Sequence, residues 1–240
     1  AFAIVGVICA CVALAYAELA TMMPAAGGAY TYSYAAMGEA IAWIIGWSLI
    51  LEYSLVVSAV AVGWSEYAVG FLRTIDILIP HALTAGPHAD GIINIPAVAI
   101  ILAVTGLLLM GTKESATVNA VLVVIKCSAL VVFIAVVAPA FDSANFQPLM
   151  PFGFNKNGPA GAEVGVMAGA AIVFFAFYGF DAVATAAEET RNPARDLTIG
   201  ILGSMIICTI LYMLVAALAV GSMPFGQFAD SGEPLALILR

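Results

Sequence analysis

The chain has 240 residues, 64% of them hydrophobic and only 9% charged, with 7 Lys and Arg against 15 Asp and Glu. A soluble domain carries about 25% charged residues, so this chain cannot cover a core with polar side chains, and lipid must solvate much of its surface. The net charge of −8 argues against a nucleic-acid partner, which calls for a basic patch, and the apolar excess argues against disorder.

Taken in chain order, six runs are long and apolar enough for membrane helices, which need about 20 residues each: 1–23, 41–72, 92–110, 118–138, 163–187 and 199–220. The second would make a helix of about 48 Å, which must tilt strongly or project beyond a bilayer. A further span is expected to begin near Leu235. The runs lack the polar/apolar alternation of barrel strands, and the eleven prolines fall in connections or at span ends. The expectation is an all-α polytopic membrane protein, 1–240 forming one transmembrane domain. The chain starts inside an apolar run with Ala1 and has no basic leader, so it reads as a fragment opening at the start of a span.

Orientation follows from the connections. Segments 24–40, 111–117 and 188–198 share one side and carry Lys113, Arg191 and Arg195; the other side carries Arg73 and Lys156. The small basic excess assigns the first set to the cytoplasm.

All but three of the charged residues lie in connections or within a couple of turns of span ends. The exceptions are Glu52, Lys126 and Asp181. By helix rise Glu52 lies about 17 Å, and Lys126 about 12 Å, from the start of its span. A charge at a helix centre costs about 2.5–3.5 kcal/mol on insertion, so each needs a partner, a polar cavity or a function. Ser115, Asn119, Leu122 and Lys126 fall on one helical face, and Ser48 and Glu52 share another. Two readings stand for Lys126: a snorkelling or permanently paired structural group, or an ammonium that exchanges its proton during a cycle. Glu52 is open to the same choice.

The fifth run holds Gly161, Gly165 and Gly169 at the spacing that lets membrane helices approach closely. Phe174, Phe175, Ala176, Phe177, Tyr178, Gly179, Phe180 and Asp181 follow. Gly179 would permit a helix break, and a discontinuous helix exposes backbone groups that hold ions and polar ligands; an unbroken helix with aromatic packing is the alternative. The cysteines Cys9, Cys11, Cys127 and Cys208 lie in apolar runs as inert thiols. His81 and His88 share one loop, Gly111-Thr112-Lys113 lacks the glycine spacing of a phosphate loop, and no hydrolytic triad is present. No enzyme, cofactor or metal is expected.

The segments Tyr16–Ala20, Pro24–Tyr32 and Gly46–Tyr53, and above all the run from Gly179 through Arg191-Asn192-Pro193 to Asp196, resemble the amino acid–polyamine–organocation permease superfamily. The likeness points to its cationic-amino-acid-transporter-like branch and covers essentially the whole chain. The resemblance implies a LeuT-type fold of five-plus-five inverted repeats, with these six spans as family helices two to seven and the eighth just begun. The first and the C-terminal helices of the same polypeptide would then be missing, and with the first helix the glycine-rich break that holds the substrate carboxylate. It implies amino-acid transport by alternating access, with proton symport, in a multi-pass protein of the cell membrane whose partners are amino acid, proton and lipid bilayer. Phe175 would close over substrate, and Ala176, Phe177, Tyr178 and Gly179 would form the unwound substrate-binding stretch. Lys126 would replace the sodium ion of sodium-coupled relatives, with Asp181 and Glu52 as acidic positions near that pathway. A channel or receptor-like scaffold with structurally paired charges is the alternative.

Overall fold

The computed structural model describes residues 1–110, 112–157, 163–228 and 231–239. Among them, five helices are long and apolar enough to cross a membrane. They are α1 (Phe2–Met22), α3 (Glu39–Thr74), the α5 region (Thr112–Val137 and the 3-10 turn after it), a composite helix over Val166–Glu189, and α7 (Pro193–Ser222). Short helices complete the order: α2 (Ala29–Met37), α4 (Ile95–Leu109), α8 (Phe225–Phe228) and α9 (Pro234–Ile238). Among the described residues the one ladder is a two-residue antiparallel pair, β1 (Lys156–Asn157) with β2 (Glu163–Val164). This is an all-α, integral, multi-pass membrane protein.

Three boundaries differ from the sequence expectation. The third span begins at Ile95, because the Asn94 side chain accepts a hydrogen bond from Ala97 N at 3.1 Å and starts the helix there, leaving 15 residues of α4. The second run lengthens to 36 residues in α3, about 54 Å of helix. The fifth starts at Val166, because Gly165 stands at φ 108° before it. A Cβ at Gly165 would come within 2.7 Å of the Gly153 carbonyl, so this glycine serves a backbone crossing and not a helix–helix contact. Gly161 lies outside the described residues.

The chain forms two compact units. The first joins Ala1–Leu51 to Phe146–Ala217. Its core is lined by small residues on one face of α1: Cys9, Ala13 and Ala20 are completely buried, and Ala17 nearly so. Without a hydrophobic force between helices in lipid, small side chains let backbones approach and gain dispersion contacts. Gly6 extends that face, where a Cβ would stand 2.5 Å from the Thr209 methyl group. Ala170, Phe177, Ala184, Ala187, Leu197, Ile201 and Met205 fill the remainder.

The second unit comprises Glu52–Asn145 with Leu218–Arg240. Asn94 fixes α4 to α3 by donating from Nδ2 to the buried Ser65 hydroxyl at 2.7 Å. Asp142 N and Asn145 Nδ2 both donate to the Gly221 carbonyl at 2.8 Å, joining the exit of α5 to the end of α7. Large apolar side chains elsewhere face outward, Leu109 being 83% exposed, as lipid-facing positions should be.

Candidate functional site

The candidate site is built on a helix that stops and restarts inside the first unit. An α-helix over Val166–Val173 (α6) tightens to a 3-10 turn at Phe174–Phe177. The chain leaves the helix at Tyr178 (φ −56°, ψ 142°), passes Gly179 at φ 106°, and resumes as a 3-10 helix over Ala182–Glu189. A Cβ at Gly179 would meet nothing within 4 Å. The glycine is therefore demanded by its positive φ, a region costly for residues with a Cβ. This is the break that the Phe-Tyr-Gly-Phe-Asp run suggested, and the unbroken-helix alternative fails.

Two sets of contacts hold the break open. Above it, Tyr212 of α7 donates its hydroxyl to the Ala176 carbonyl at 2.9 Å, satisfying an acceptor that the helix has abandoned. The Tyr212 ring packs edge-on against Phe177 with centroids 5.3 Å apart, and Phe2 stands 5.9 Å from Tyr212. Below it, Phe180 packs edge-on against Tyr16 at 5.7 Å, and Tyr16 against Tyr32 at 6.2 Å. The lower half-helix is tied to the loop after α1, where Glu188 Oε1 accepts from Ala26 N at 3.0 Å.

The expected substrate-binding residues divide by environment. Phe175 and Tyr178 are both exposed, their rings 5.7 Å apart, and together form an aromatic edge at the break. The Ala176 carbonyl already accepts the Tyr212 hydrogen bond. Phe177 is 4% exposed and belongs to the core, so its ring faces away from that edge. Asp181 is half-buried at the entry of the lower half-helix and is engaged in interactions there.

The other two charged positions belong to the second unit. Glu52 is half-buried on α3 and makes contacts of its own, while Ser48 on its face donates back to the Ile44 carbonyl at 3.0 Å. Lys126, with Asn119 and Leu122, is exposed along α5; the Ser115 side chain lies outside those described.

Sequence reasoning missed two groups. Tyr212 carried a readable signal, since a phenol in mid-span of an apolar helix needs a hydrogen-bond partner. Tyr32 carried none: it is 5% exposed, and among the described residues its hydroxyl has no partner. Burial pushes its phenol up from the ordinary value near 10.

A family model described as amino acid permease matches residues 1–239. The chain belongs to the amino acid permease family. Within the wider amino acid–polyamine–organocation superfamily, it is 48% identical over its whole length to the branched-chain amino acid permease BcaP of Bacillus subtilis, covering 50% of that protein. It is 39% identical to the methylthioribose transporter of the same organism, again over 100% of this chain and 50% of the relative. A vacuolar cationic amino acid transporter of Arabidopsis thaliana is 39% identical over 96% of the chain, which covers 40% of it. The permease chain thus spans about half the length of the curated relatives it matches.

Proposed function

We propose that this permease chain forms part of a transporter that moves amino acids across a membrane by alternating access, coupled to protons. The observation that carries the reading is the break at Tyr178–Asp181. It places an exposed aromatic pair beside a positive-φ glycine within a membrane-crossing helix, and discontinuous helices are the arrangement with which transporters hold small polar ligands. In the cycle, substrate binds at the break and Phe175 closes over it. Proton exchange at Lys126, with Glu52 and Asp181 as acidic partners in the pathway, biases the inward and outward states. A neutral branched-chain amino acid is the best-supported substrate, since the 48% identical relative is a branched-chain permease and the exposed rings at the break suit an aliphatic side chain. The 24–40, 111–117 and 188–198 connections face the cytoplasm, and the protein resides in the cell membrane.

The test is isoleucine uptake into proteoliposomes containing the full-length protein, with and without an imposed pH gradient. The gradient is expected to drive accumulation, which Lys126→Ala abolishes or uncouples. Gradient-independent uptake in wild type, or an unchanged gradient response in Lys126→Ala, would remove the coupling role. Absence of uptake for every amino acid would remove the transport reading.

A further inference from the structure

The last turns of α3 face a cavity that the break does not use. It encloses about 400 Å³ within the second unit, bounded by α3, the 81–89 segment and the 231–233 segment. Its polar wall comprises Glu66 and Arg73 from α3, His81 and Thr84 from the connection, and Ser231 and Glu233 from the entry to α9. Small-molecule sites occupy about 300–1,000 Å³, so the space suits a compact polar ligand.

The two carboxylates arrive from different segments through a reciprocal fit. A Cβ at Gly232 would come within 2.8 Å of Glu66 Oε2, and the Glu233 carboxylate occupies the space where a Cβ of Gly70 would stand. Each glutamate thus lies over a glycine of the opposite segment. This close approach brings both acids into one cavity with a guanidinium. Glu66 and Arg73 fall at i and i+7 on one face of α3, about 10 Å apart along its axis. Carboxylates and a guanidinium on the wall of one cavity offer charge-assisted hydrogen bonds of both signs, which the ammonium and the carboxylate of an α-amino acid require. Among the described residues, no group of three His, Cys, Asp or Glu side chains is placed to hold a metal ion, so an organic ammonium fits the acidic pair better than a cation site does.

The Ser65–Asn94 hydrogen bond sets the depth. It fixes the start of α4 at Ser65, about 13 Å below the end of α3, and Glu66 and Arg73 follow that level. The cavity therefore lies beside the last turns of α3, toward its C-terminal end.

We propose that this cavity is a second amino-acid site, in which Arg73 holds the α-carboxylate while Glu66 and Glu233 hold the α-ammonium. It rests on the transport reading for the ligand class alone, and it selects the zwitterionic headgroup with little regard for the side chain. The test is equilibrium binding of radiolabelled isoleucine to the full-length protein in nanodiscs. Wild type is expected to bind two per protein. Glu66→Gln and Arg73→Gln, each separately, bring this to one while gradient-driven uptake persists. An excess of the amine or the carboxylic acid matching isoleucine, each lacking one charge, leaves the second molecule bound. Both substitutions are at exposed positions in the last turns of α3, and Glu66→Gln keeps side-chain volume; either alone decides the question if the other lowers the yield of folded protein. A wild-type stoichiometry of one that both variants retain, or of two in both variants, overturns the second site even where uptake is intact. If the break carries a different amino acid, isoleucine still fills this cavity, and one saturable equivalent disappears in Arg73→Gln; no isoleucine binding at all overturns the site.

Discussion

Replacing Tyr212 by Phe removes one hydroxyl and nothing else from the structure above the break. The ring remains, with its edge-on contact to Phe177 at 5.3 Å and its tilted contact to Phe2 at 5.9 Å. What is lost is the 2.9 Å hydrogen bond to the Ala176 carbonyl, together with the hydroxyl's contact with the Cys208 thiol. Interhelical hydrogen bonds within membranes are worth about 0.6 kcal/mol on average and about 1.7 at most. Tyr212→Phe should therefore destabilise the protein by about 1 kcal/mol. Tyr212→Ala also empties a ring site that touches buried Phe177, and should cost about 3–5 kcal/mol, as other aromatic-to-alanine core changes do. Thermal unfolding of the two variants in the same nanodiscs separates the hydrogen bond from the packing, and uptake kinetics report on the break. The expected pattern is a small loss of stability in Tyr212→Phe with a disproportionate fall in isoleucine uptake, because the freed carbonyl lets the upper half-helix reclose. If Tyr212→Phe matches wild type in both measurements, the hydroxyl does not hold the break, and the geometry argument fails.

Three further outcomes can be measured. Gly179→Ala meets no steric obstacle, so its cost is backbone strain of about 1–2 kcal/mol, and uptake should fall although expression and insertion persist; normal uptake would show that the positive φ is dispensable. Tyr32→Phe deletes an orphaned buried hydroxyl and should raise stability by about 1 kcal/mol, as followed by thermal unfolding. The pH dependence has a definite sign. The Tyr32 phenol titrates higher when folded than when unfolded, so its contribution is fully present below about pH 10 and is lost as pH rises through the folded value; wild type should lose stability above pH 10 more steeply than Tyr32→Phe. Asn94→Ala removes both the cap of α4 and the bond to Ser65, and should cost about 1–2 kcal/mol in the same assay, whereas no change would show that α4 is held by lipid contacts alone.

The break was legible because its ingredients are local: a glycine among aromatics, followed by a carboxylate, conflicts with continuous lipid-facing helix wherever it occurs. The order of the long helices was legible from apolar run length, although the third of the six runs gives only the 15-residue α4, shorter than a membrane span. The start of the fifth was not, because Gly165 looks like a packing glycine until the chain from Met150 to Phe154 is brought beside it. The start of α4 was misplaced because Ile92 and Ile93 are as apolar as the helix they precede, and the Asn94 cap, once paired with Ser65, overrides hydropathy. Within the site, residue type could not separate Phe175 from Phe177. A two-residue offset on a tightening helix turns one ring into the core and leaves the other at the edge. The partners of Tyr212 and Glu188 lie in distant sequence, where no local rule reaches.

The 15 residues of α4 amount to about 22 Å of helix, whereas the hydrocarbon layer of a common bilayer is about 30 Å thick. Its neighbour α3 has length to spare. Pinned at Ser65, α4 cannot slide to share the difference, so the lipid beside it must deform at a cost of fractions of a kcal/mol per ångström. Membrane composition thereby becomes a control on this protein: shorter or more disordered acyl chains relax the deformation, and sterol-stiffened or long-chain bilayers increase it. Uptake rates measured across a series of chain lengths at constant headgroup should rise toward the thinner membranes.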